Sequence, residues 1–263
     1  MDSKVEFLFL NEEDMIKAGV LDADRAVDTI GEVITLLSEG DYLMGGRAHN
    51  DHGVQLIFPE KSDIPNFPLA DSADRRFMAM PAYLGGRFHM CGEKWYGSNG
   101  RNSHKGLPRS ILMATLNDVE TGQPLAYMSA NLLSAMRTGA MPGLTAMYLA
   151  RKDSRVLTIL GAGVIGRTSL MAIMAKFPDL EVLKIKGSSK TSHTAHELAD
   201  CARENYKSLK EIIICDTLEE AVRDADIIAE AVSVEPRKWP VIDPTWVKPG
   251  CTIISSGTMD MDL

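Results

Sequence analysis

Residues 155–166 read RVLTILGAGVIG, an apolar, β-branched run that leads directly into Gly161, Gly163 and Gly166. A segment with helical spacing follows the last glycine. This G-x-G-x-x-G spacing between a strand and a helix is the fingerprint of a dinucleotide-binding turn. The first glycine permits the tight turn, the second lets a pyrophosphate approach the backbone, and the third lets the helix pack closely on its strand.

The beginning of the following helix completes this candidate site. Val164 and Ile165 are its first residues, and the N–H groups in the first turn of a helix have no intrahelical partner. Together with the positive end of the helix dipole, these groups favour a bound phosphate. A tight turn that binds nothing is the alternative, but the strand before it and the helix after it favour a bound dinucleotide.

The chain after residue 150 alternates strand-like and helix-like segments, which predicts a parallel sheet with helices on both faces. The predicted strands are 155–160, 181–186, 211–215, 226–232 and 251–255, and the predicted helices are 164–177, 192–206 and 217–224. Residues 151–263 are therefore predicted to form a Rossmann-type, doubly wound α/β domain. A six-stranded sheet would need another helix and strand after residue 255, so either the sheet is short or the sequence is a piece of a longer protein.

The first 130 residues have a different pattern, which predicts a smaller α+β domain that binds the substrate. Its predicted strands are 5–10, 54–58, 111–118 and 124–128, its predicted helices are 12–17 and 23–38, and residues 59–76 are predicted to form a loop. Residues 131–150 predict a helix that links the two domains. Pro142 should kink or break that helix, because proline removes a backbone hydrogen bond.

Composition excludes several classes of protein. The net charge of −8 disfavours nucleic acid as a partner, because phosphate binding requires clustered Lys and Arg. No apolar run approaches the roughly 20 residues needed to cross a membrane. The four cysteines are scattered, with no C-x-x-C pair. They predict reduced thiols, no metal site and a cytoplasmic location.

Three basic residues stand in unusual surroundings. Arg47 follows two glycines, Lys94 lies between glycines and aromatic residues, and Arg137 lies in an apolar helical segment. A guanidinium binds a carboxylate with two hydrogen bonds, and an Arg on an apolar helix needs an anionic partner. Taken singly, Arg47 and Lys94 are better explained as solvated loop residues, and Arg137 is equally well explained by a structural ion pair.

Four stretches, of which the last is the glycine turn, carry a resemblance to a known family. They are GEKWYGSNGRNSHKGLPRS (92–110), DVETGQPL (118–125), LLSAMRTGA (132–140) and VLTILGAGVIG (156–166). Together, and in this order, they resemble the ornithine cyclodeaminase/mu-crystallin family. The resemblance implies an NAD(H)- or NADP(H)-dependent enzyme that interconverts amino acids with imines or keto acids, and a homodimer formed through the N-terminal domain. It also implies that Arg47, Lys94 and Arg137 bind the substrate carboxylate, and that Lys94 is a candidate catalytic residue.

The resemblance leaves two reactions open, a ketimine reductase or amino-acid dehydrogenase and a cyclodeaminase. Family cyclodeaminases carry an Asp shortly after the 251–255 strand, where it binds or deprotonates the side-chain amine. An ungapped match places Met259 at that position, and Asp260 is the neighbouring candidate for a catalytic acid. This departure favours the simpler reductase or dehydrogenase. A nucleotide-binding protein without catalysis, like mu-crystallin, is the alternative function.

The cofactor-binding residues include a turn without an acid. NAD-specific domains carry Asp or Glu at the end of the second strand, whereas the strand 181–186 continues into Gly187, Ser188, Ser189 and Lys190. Hydroxyls and a Lys suit a 2′-phosphate, so NADP(H) is expected in preference to NAD(H).

The resemblance implies further cofactor contacts outside the glycine turn. The residues expected to make them are Arg109, Arg137, Thr138, Ser233 and Gly257. Arg109 stands where family members often carry Thr near the nicotinamide. Its guanidinium is expected to contact either a phosphate or a substrate acid.

Overall fold

The computed structural model describes residues 4–72, 74–232 and 239–261. The chain divides into two compact units, one of Met1–Leu21 with Glu32–Ser134 and the other of Asp22–Gly31 with Ala135–Leu263.

The first unit is built on an antiparallel sheet. Its elements are β1 (Leu8–Leu10), α1 (Glu12–Lys17), the end of α2 (Ala23–Glu39), β2 (Tyr42–Met44), β3 (Val54–Ile57), β4 (Arg76–Leu84), β5 (Met90–Ser98), β6 (Ser110–Asp118), β7 (Pro124–Ser129) and the start of α3 (Asn131–Leu149). The first half of α2 and the rest of α3 belong to the second unit. Within the described ranges, the sheet has seven strands in the order β1-β7-β6-β5-β4-β2, and β3 also pairs with β4. β1 lies parallel to β7, and the other pairs are antiparallel. The predicted helices at 12–17 and 23–38 and the predicted α+β character are confirmed.

Strands β4 and β5 were not predicted from the sequence. Pro81 lies inside β4, and Gly92 and Gly97 lie inside β5, so the usual strand pattern is interrupted. Both strands form because neighbours pair with them on either side. A Cβ on Gly92 would lie 2.7 Å from the Thr115 carbonyl oxygen, so the glycine permits close approach of β6. The loop predicted at 59–76 is one residue too long at its end, because Arg76 is already the first residue of β4.

The second unit has the predicted doubly wound order. Its elements are β8 (Val156–Leu160), α4 (Val164–Lys176), β9 (Val182–Lys186), α5 (His193–Asn205), β10 (Glu211–Ile214), α6 (Leu218–Val222), β11 (Ile227–Glu230), β12 (Val241–Ile242), β13 (Thr252–Ser255) and β14 (Asp260–Met261). In the described part of this unit, five parallel strands follow the order β10-β9-β8-β11-β13, and β12 pairs with β14. The strand order reverses between β8 and β11, as in a Rossmann-type sheet.

Apolar side chains cover both faces of the parallel sheet. Leu157 and Ile159 of β8 pack in the same core as α4 and α5, whereas Leu160 packs with α6. This arrangement explains why the strands read as nearly continuous apolar runs, because a strand buried on both faces has no polar side.

Pro142 was predicted to kink or break helix α3, and the break is wrong. The helix α3 runs from Asn131 to Leu149, with Pro142 buried inside it. A Cβ on Gly139 would lie 2.4 Å from Thr168, and one on Gly143 would lie 2.7 Å from the Ala172 Cβ, so α3 packs very closely on α4. This burial offsets the cost of about 3 kcal/mol that an interior proline brings to a helix.

The structure also bears on membrane spans and on the cysteines. None of the helices in the described ranges is long and apolar enough to cross a membrane.

The four cysteines are all free thiols: Cys91, Cys201, Cys215 and Cys251. Burial raises the pKa of Cys215 and the pKa of Cys251 to about 11, which keeps both thiols protonated at neutral pH.

Candidate functional site

The glycine turn after β8 has the geometry that its fingerprint requires. Gly161 has a φ of +94°, and a Cβ there would lie 2.8 Å from the Ala231 carbonyl carbon. A Cβ on Gly166 would lie 2.0 Å from the Gly161 carbonyl oxygen, so only glycine lets α4 approach the turn this closely. Around Gly163, by contrast, a Cβ would meet no described atom within 4 Å. The two outer glycines shape the turn, and the middle one leaves an open face.

The helix N-terminus at this open face is uncapped. Gly163 is the N-cap of α4, and no side chain accepts a hydrogen bond from the first turn. Val164 is exposed and Ile165 is half-buried. Free N–H groups beside an open glycine face suit a pyrophosphate. Gly163, Val164 and Ile165 therefore fit the phosphates of a dinucleotide.

The acid-free turn lies directly beside the glycine turn. β9 pairs with β8, and the Gly161 N–H donates to the Lys186 carbonyl at 2.9 Å. Ser188, Ser189 and Lys190 follow and are exposed. They lie where the adenosine ribose of a dinucleotide is expected, because that ribose binds at the end of the second strand.

A buried carboxylate that the sequence analysis did not single out lies at the end of β11. Glu230 is 1% exposed, and its Oε1 accepts a hydrogen bond from the Val232 N–H at 2.5 Å. Its Oε2 accepts from the Ser255 hydroxyl at 2.6 Å and from the Gly257 N–H at 3.1 Å. The sequence signal that could have identified Glu230 is an acidic residue at the end of an apolar strand. Ser233, the next predicted cofactor residue, lies outside the described residues.

Gly257 serves close packing at this edge of the sheet. A Cβ there would lie 2.6 Å from the Val232 carbonyl oxygen and 2.7 Å from Glu230 Oε1. Because its N–H donates to Glu230, Gly257 contributes to the edge through backbone geometry.

Two of the predicted carboxylate-binding residues lie near one another in the first unit. Arg47 is in the turn after β2, and the Gly45 N–H in that turn donates to the Pro81 carbonyl at 3.1 Å. Lys94 lies on β5 directly opposite Met80, the residue before Pro81. The structure thus brings Arg47 and Lys94 to the same stretch of β4.

A row of polar side chains extends from Lys94 along the sheet. The Lys94 ammonium lies 5.2 Å from the centre of the Tyr96 ring, and Arg76 Nη2 donates to the Tyr96 hydroxyl at 3.2 Å. This hydrogen bond, opposed by desolvation and reinforced by Asp74, raises the pKa of Arg76. Arg109 Nη1 lies 3.6 Å from Asp74 Oδ2, so Arg109 belongs to this cluster in the first unit.

The remaining predicted residues belong to the second unit. Arg137 is exposed and Thr138 is half-buried on α3, so Arg137 does not incur the burial cost inferred from its apolar neighbours. Asp260 lies on β14, and its carboxylate accepts a hydrogen bond from Trp239 Nε1. Met259 packs against the core on the α6 side of the sheet. Asp260 therefore has a structural partner.

The described part of the chain contains no group of three or more His, Cys, Asp or Glu side chains that could hold a metal ion.

Comparisons with known proteins agree with this fold. The family model described as the ornithine cyclodeaminase/mu-crystallin family matches residues 22–262. N-((2S)-2-amino-2-carboxyethyl)-L-glutamate dehydrogenase of Staphylococcus aureus (strain NCTC 8325 / PS 47) is 30% identical over 258 residues, which are 97% of this chain and 70% of the relative.

Two solved structures share the fold over nearly the whole chain. Thermococcus litoralis Δ1-pyrroline-2-carboxylate reductase in complex with NADH and L-proline has a TM-score of 0.73 and 26% identity, over 95% of this chain and 69% of that chain. An archaeal alanine dehydrogenase dimer with bound NAD has a TM-score of 0.73 and 29% identity, over 94% of this chain and 66% of that chain. Because the family match extends over most of its length, the chain belongs to the ornithine cyclodeaminase/mu-crystallin family.

Proposed function

We propose that this chain is an NAD(P)-dependent enzyme that transfers hydride between a nicotinamide and the α-carbon of a small amino acid or cyclic imine. The observation that carries the proposal is the open, uncapped turn at Gly163 in a Rossmann-ordered sheet. The named activities of the relatives, a dehydrogenase and an imine-acid reductase, support the same class of reaction. They favour an enzyme over a nucleotide carrier, because a carrier does not need basic side chains that bind a substrate carboxylate.

The substrate carboxylate is bound by Arg47, Lys94 and Arg137. Arginine offers two parallel hydrogen bonds to a carboxylate, and Lys94 adds a point charge or polarises a water. The Tyr96 ring beside Lys94 restricts the position of its ammonium group. When bound, the nicotinamide donates or accepts the hydride, while these side chains hold the α-carbon in one orientation.

The reaction is that of a ketimine reductase or amino-acid dehydrogenase rather than a cyclodeaminase. Met259 stands where cyclodeaminases carry their acid, and its side chain packs in the core. Asp260 is engaged by Trp239. The position at which family cyclodeaminases carry their acid is therefore occupied by a methionine, which favours the reductase or dehydrogenase.

NADP(H) is the preferred form of the cofactor. Ser188, Ser189 and Lys190 are exposed beside the glycine turn, and this turn has no acid to bind a ribose 2′-hydroxyl. The complexes with NADH and NAD describe the solved relatives, so the preference rests on the residues of this chain alone.

The enzyme is a cytoplasmic homodimer formed through its first unit. Phe77 and Trp95 stack with ring centres 5.6 Å apart on one face of the sheet, and Trp95 is 37% exposed. Ile111 on β6 and Leu56 on β3 extend this exposed apolar face. An apolar face of this extent suits burial against a second subunit. The scattered free thiols favour a reducing compartment.

The proposed function is tested by following nicotinamide absorbance with purified protein, NADPH or NADH, and a panel of cyclic imine acids and keto acids with amines. Oxidation of NADPH with at least one imine acid is expected. Ammonia release from ornithine without any imine reduction would contradict the reductase assignment. Tight nucleotide binding with neither reaction would instead identify a nucleotide carrier.

A further inference from the structure

Glu230 places a buried carboxylate at the carboxyl edge of the parallel sheet. Its three hydrogen-bond partners are the Val232 N–H, the Ser255 hydroxyl and the Gly257 N–H, all uncharged. Across the described residues, no Lys or Arg forms an ion pair with it. A carboxylate buried among uncharged donors attracts a positive charge that binds beside it, because a buried charge is poorly screened by water.

The opposite end of the same strand shows the contrast. Asp226, immediately before β11, is 9% exposed, and its Oδ2 accepts from the N–H groups of Arg155 and Val156 at 2.8 and 2.9 Å. Its Oδ1 also lies 2.6 Å from the Lys248 ammonium. The two acids thus share burial and backbone donors, but only the one at the amino end has a described cation.

Glu230 lies at the point where the strand order reverses. Dinucleotides bind at the carboxyl ends of the strands at this point, with one mononucleotide on each half of the sheet. β8 and β9 carry the glycine turn and the acid-free turn, which assigns the adenosine half to that side. The remaining half, at the ends of β11 and β13, is left for the nicotinamide. A Cβ added at Gly161 would contact Ala231, the residue directly after Glu230, so the glycine turn lies against this strand end.

We propose that Glu230 is a positioning residue for the nicotinamide half of the cofactor, and that its charge favours the oxidised form over the reduced form. This inference rests on the proposed function. Glu230 fixes the backbone at Val232 and Gly257, on the two strand ends that flank the nicotinamide half. The oxidised nicotinamide ring carries a positive charge and the reduced ring is neutral, so only the oxidised ring is attracted by the carboxylate.

The expected effect follows from Coulomb's law. Two unit charges about 12 Å apart at an effective dielectric constant of about 20 change a binding constant by about tenfold, and a closer pair changes it more. Removal of the Glu230 charge should therefore raise the Kd for NADP⁺ about tenfold more than the Kd for NADPH. A residue that only stabilises the fold would weaken both forms equally.

The experiment measures the Kd for NADP⁺ and the Kd for NADPH by titration calorimetry, without substrate. The variants are Glu230→Gln, Glu230→Asp and Asp226→Asn. Glu230→Gln should shift the ratio of the two constants about tenfold, and Glu230→Asp, which keeps the charge, should stay within about threefold of the wild-type ratio. Asp226→Asn is the matched control, and it should lower Tm without moving the ratio. An unchanged ratio in folded Glu230→Gln would overturn the proposal.

A second variant covers the case in which Glu230→Gln does not fold. Ser255→Ala removes one hydrogen-bond donor from the carboxylate and leaves its charge in place. The less neutralised carboxylate should shift the ratio further towards NADP⁺, by about twofold or more. Equal changes for both forms would overturn the proposal. Wild-type protein that binds neither nucleotide would instead contradict the proposed function.

Discussion

We expect the substitution Gly163→Ala to weaken dinucleotide binding while leaving the fold intact. A Cβ at this position would meet no described atom within 4 Å, and the backbone has φ −80° and ψ −166°, which alanine adopts without strain. The new methyl group would instead occupy the space through which a pyrophosphate reaches the first N–H groups of α4. Binding and folding are therefore separable at this residue.

The two effects differ in size. Alanine is a poorer N-cap than glycine by roughly 0.5–1 kcal/mol, but it restricts the unfolded chain and so returns about 0.4–1 kcal/mol. The free energy of unfolding should therefore change by less than about 1 kcal/mol, which corresponds to a Tm shift of about 2–4 °C at most. Loss of one hydrogen bond to a charged phosphate costs about 1.5–3 kcal/mol, so the nucleotide Kd should rise about 10- to 100-fold.

Two other glycines provide the controls for this measurement. Gly166→Ala would place a Cβ 2.0 Å from a backbone oxygen, so Tm and affinity should both fall. Gly122→Ala, in the β6–β7 turn at φ +73°, should lower Tm through backbone strain and leave affinity unchanged. Calorimetric titration with NADPH and thermal melts give both quantities for each variant. An unchanged Kd in folded Gly163→Ala would refute the assignment of the phosphate site.

Four further changes test other parts of the reasoning. Arg137→Ala should raise the substrate KM about tenfold and the nucleotide Kd much less, and a collapse of nucleotide binding would contradict its main role at the carboxylate. Lys190→Ala should weaken NADPH about tenfold and NADH much less, whereas equal losses would remove the NADP(H) preference. Burial raises the pKa of Asp226, but its lysine partner and two N–H donors outweigh burial and hold this pKa below 3.8. The ionised carboxylate therefore stabilises the fold at neutral pH and loses this effect as the pH falls through its folded pKa. In urea melts, Asp226→Asn should lower the free energy of unfolding by about 2 kcal/mol at neutral pH and by little in strong acid. An equal cost at both pH values would argue against the ion pair. Trp95→Glu should convert the dimer into a monomer in sedimentation experiments, and a dimer that persists would place the interface elsewhere.

Local patterns were sufficient for most of the second unit. Its strands are buried on both faces and its helices have a regular apolar spacing, so each sheet strand was predicted to within about two residues at either end. The glycine turn was equally predictable, because Gly166 lies against a backbone five residues away and Gly161 against the neighbouring strand end, while Gly163 leaves an open face.

Local patterns were insufficient where distant partners decide the outcome. β4 and β5 contain Pro81 and Gly92, and these residues are tolerated because β2, β5 and β6 pair alongside them. The helix α3 continues through Pro142 because small residues on either side of it let α4 pack closely. In both cases, the energy of tertiary packing exceeds the local preference of the backbone.

The sequence by itself determined the fold class, the glycine turn and the family resemblance, since each depends on residues close together in the chain or on motifs in a set order. Only the tertiary structure decided which acid is buried at the edge of the sheet. It brings Glu230 to Gly257, 27 residues away, and places Trp239 where its Nε1 donates a hydrogen bond to Asp260. The spacing of apolar residues along a chain indicates which face of a helix or strand is buried. The partners of a polar side chain depend on which strand ends meet, and that is settled only when the sheet forms.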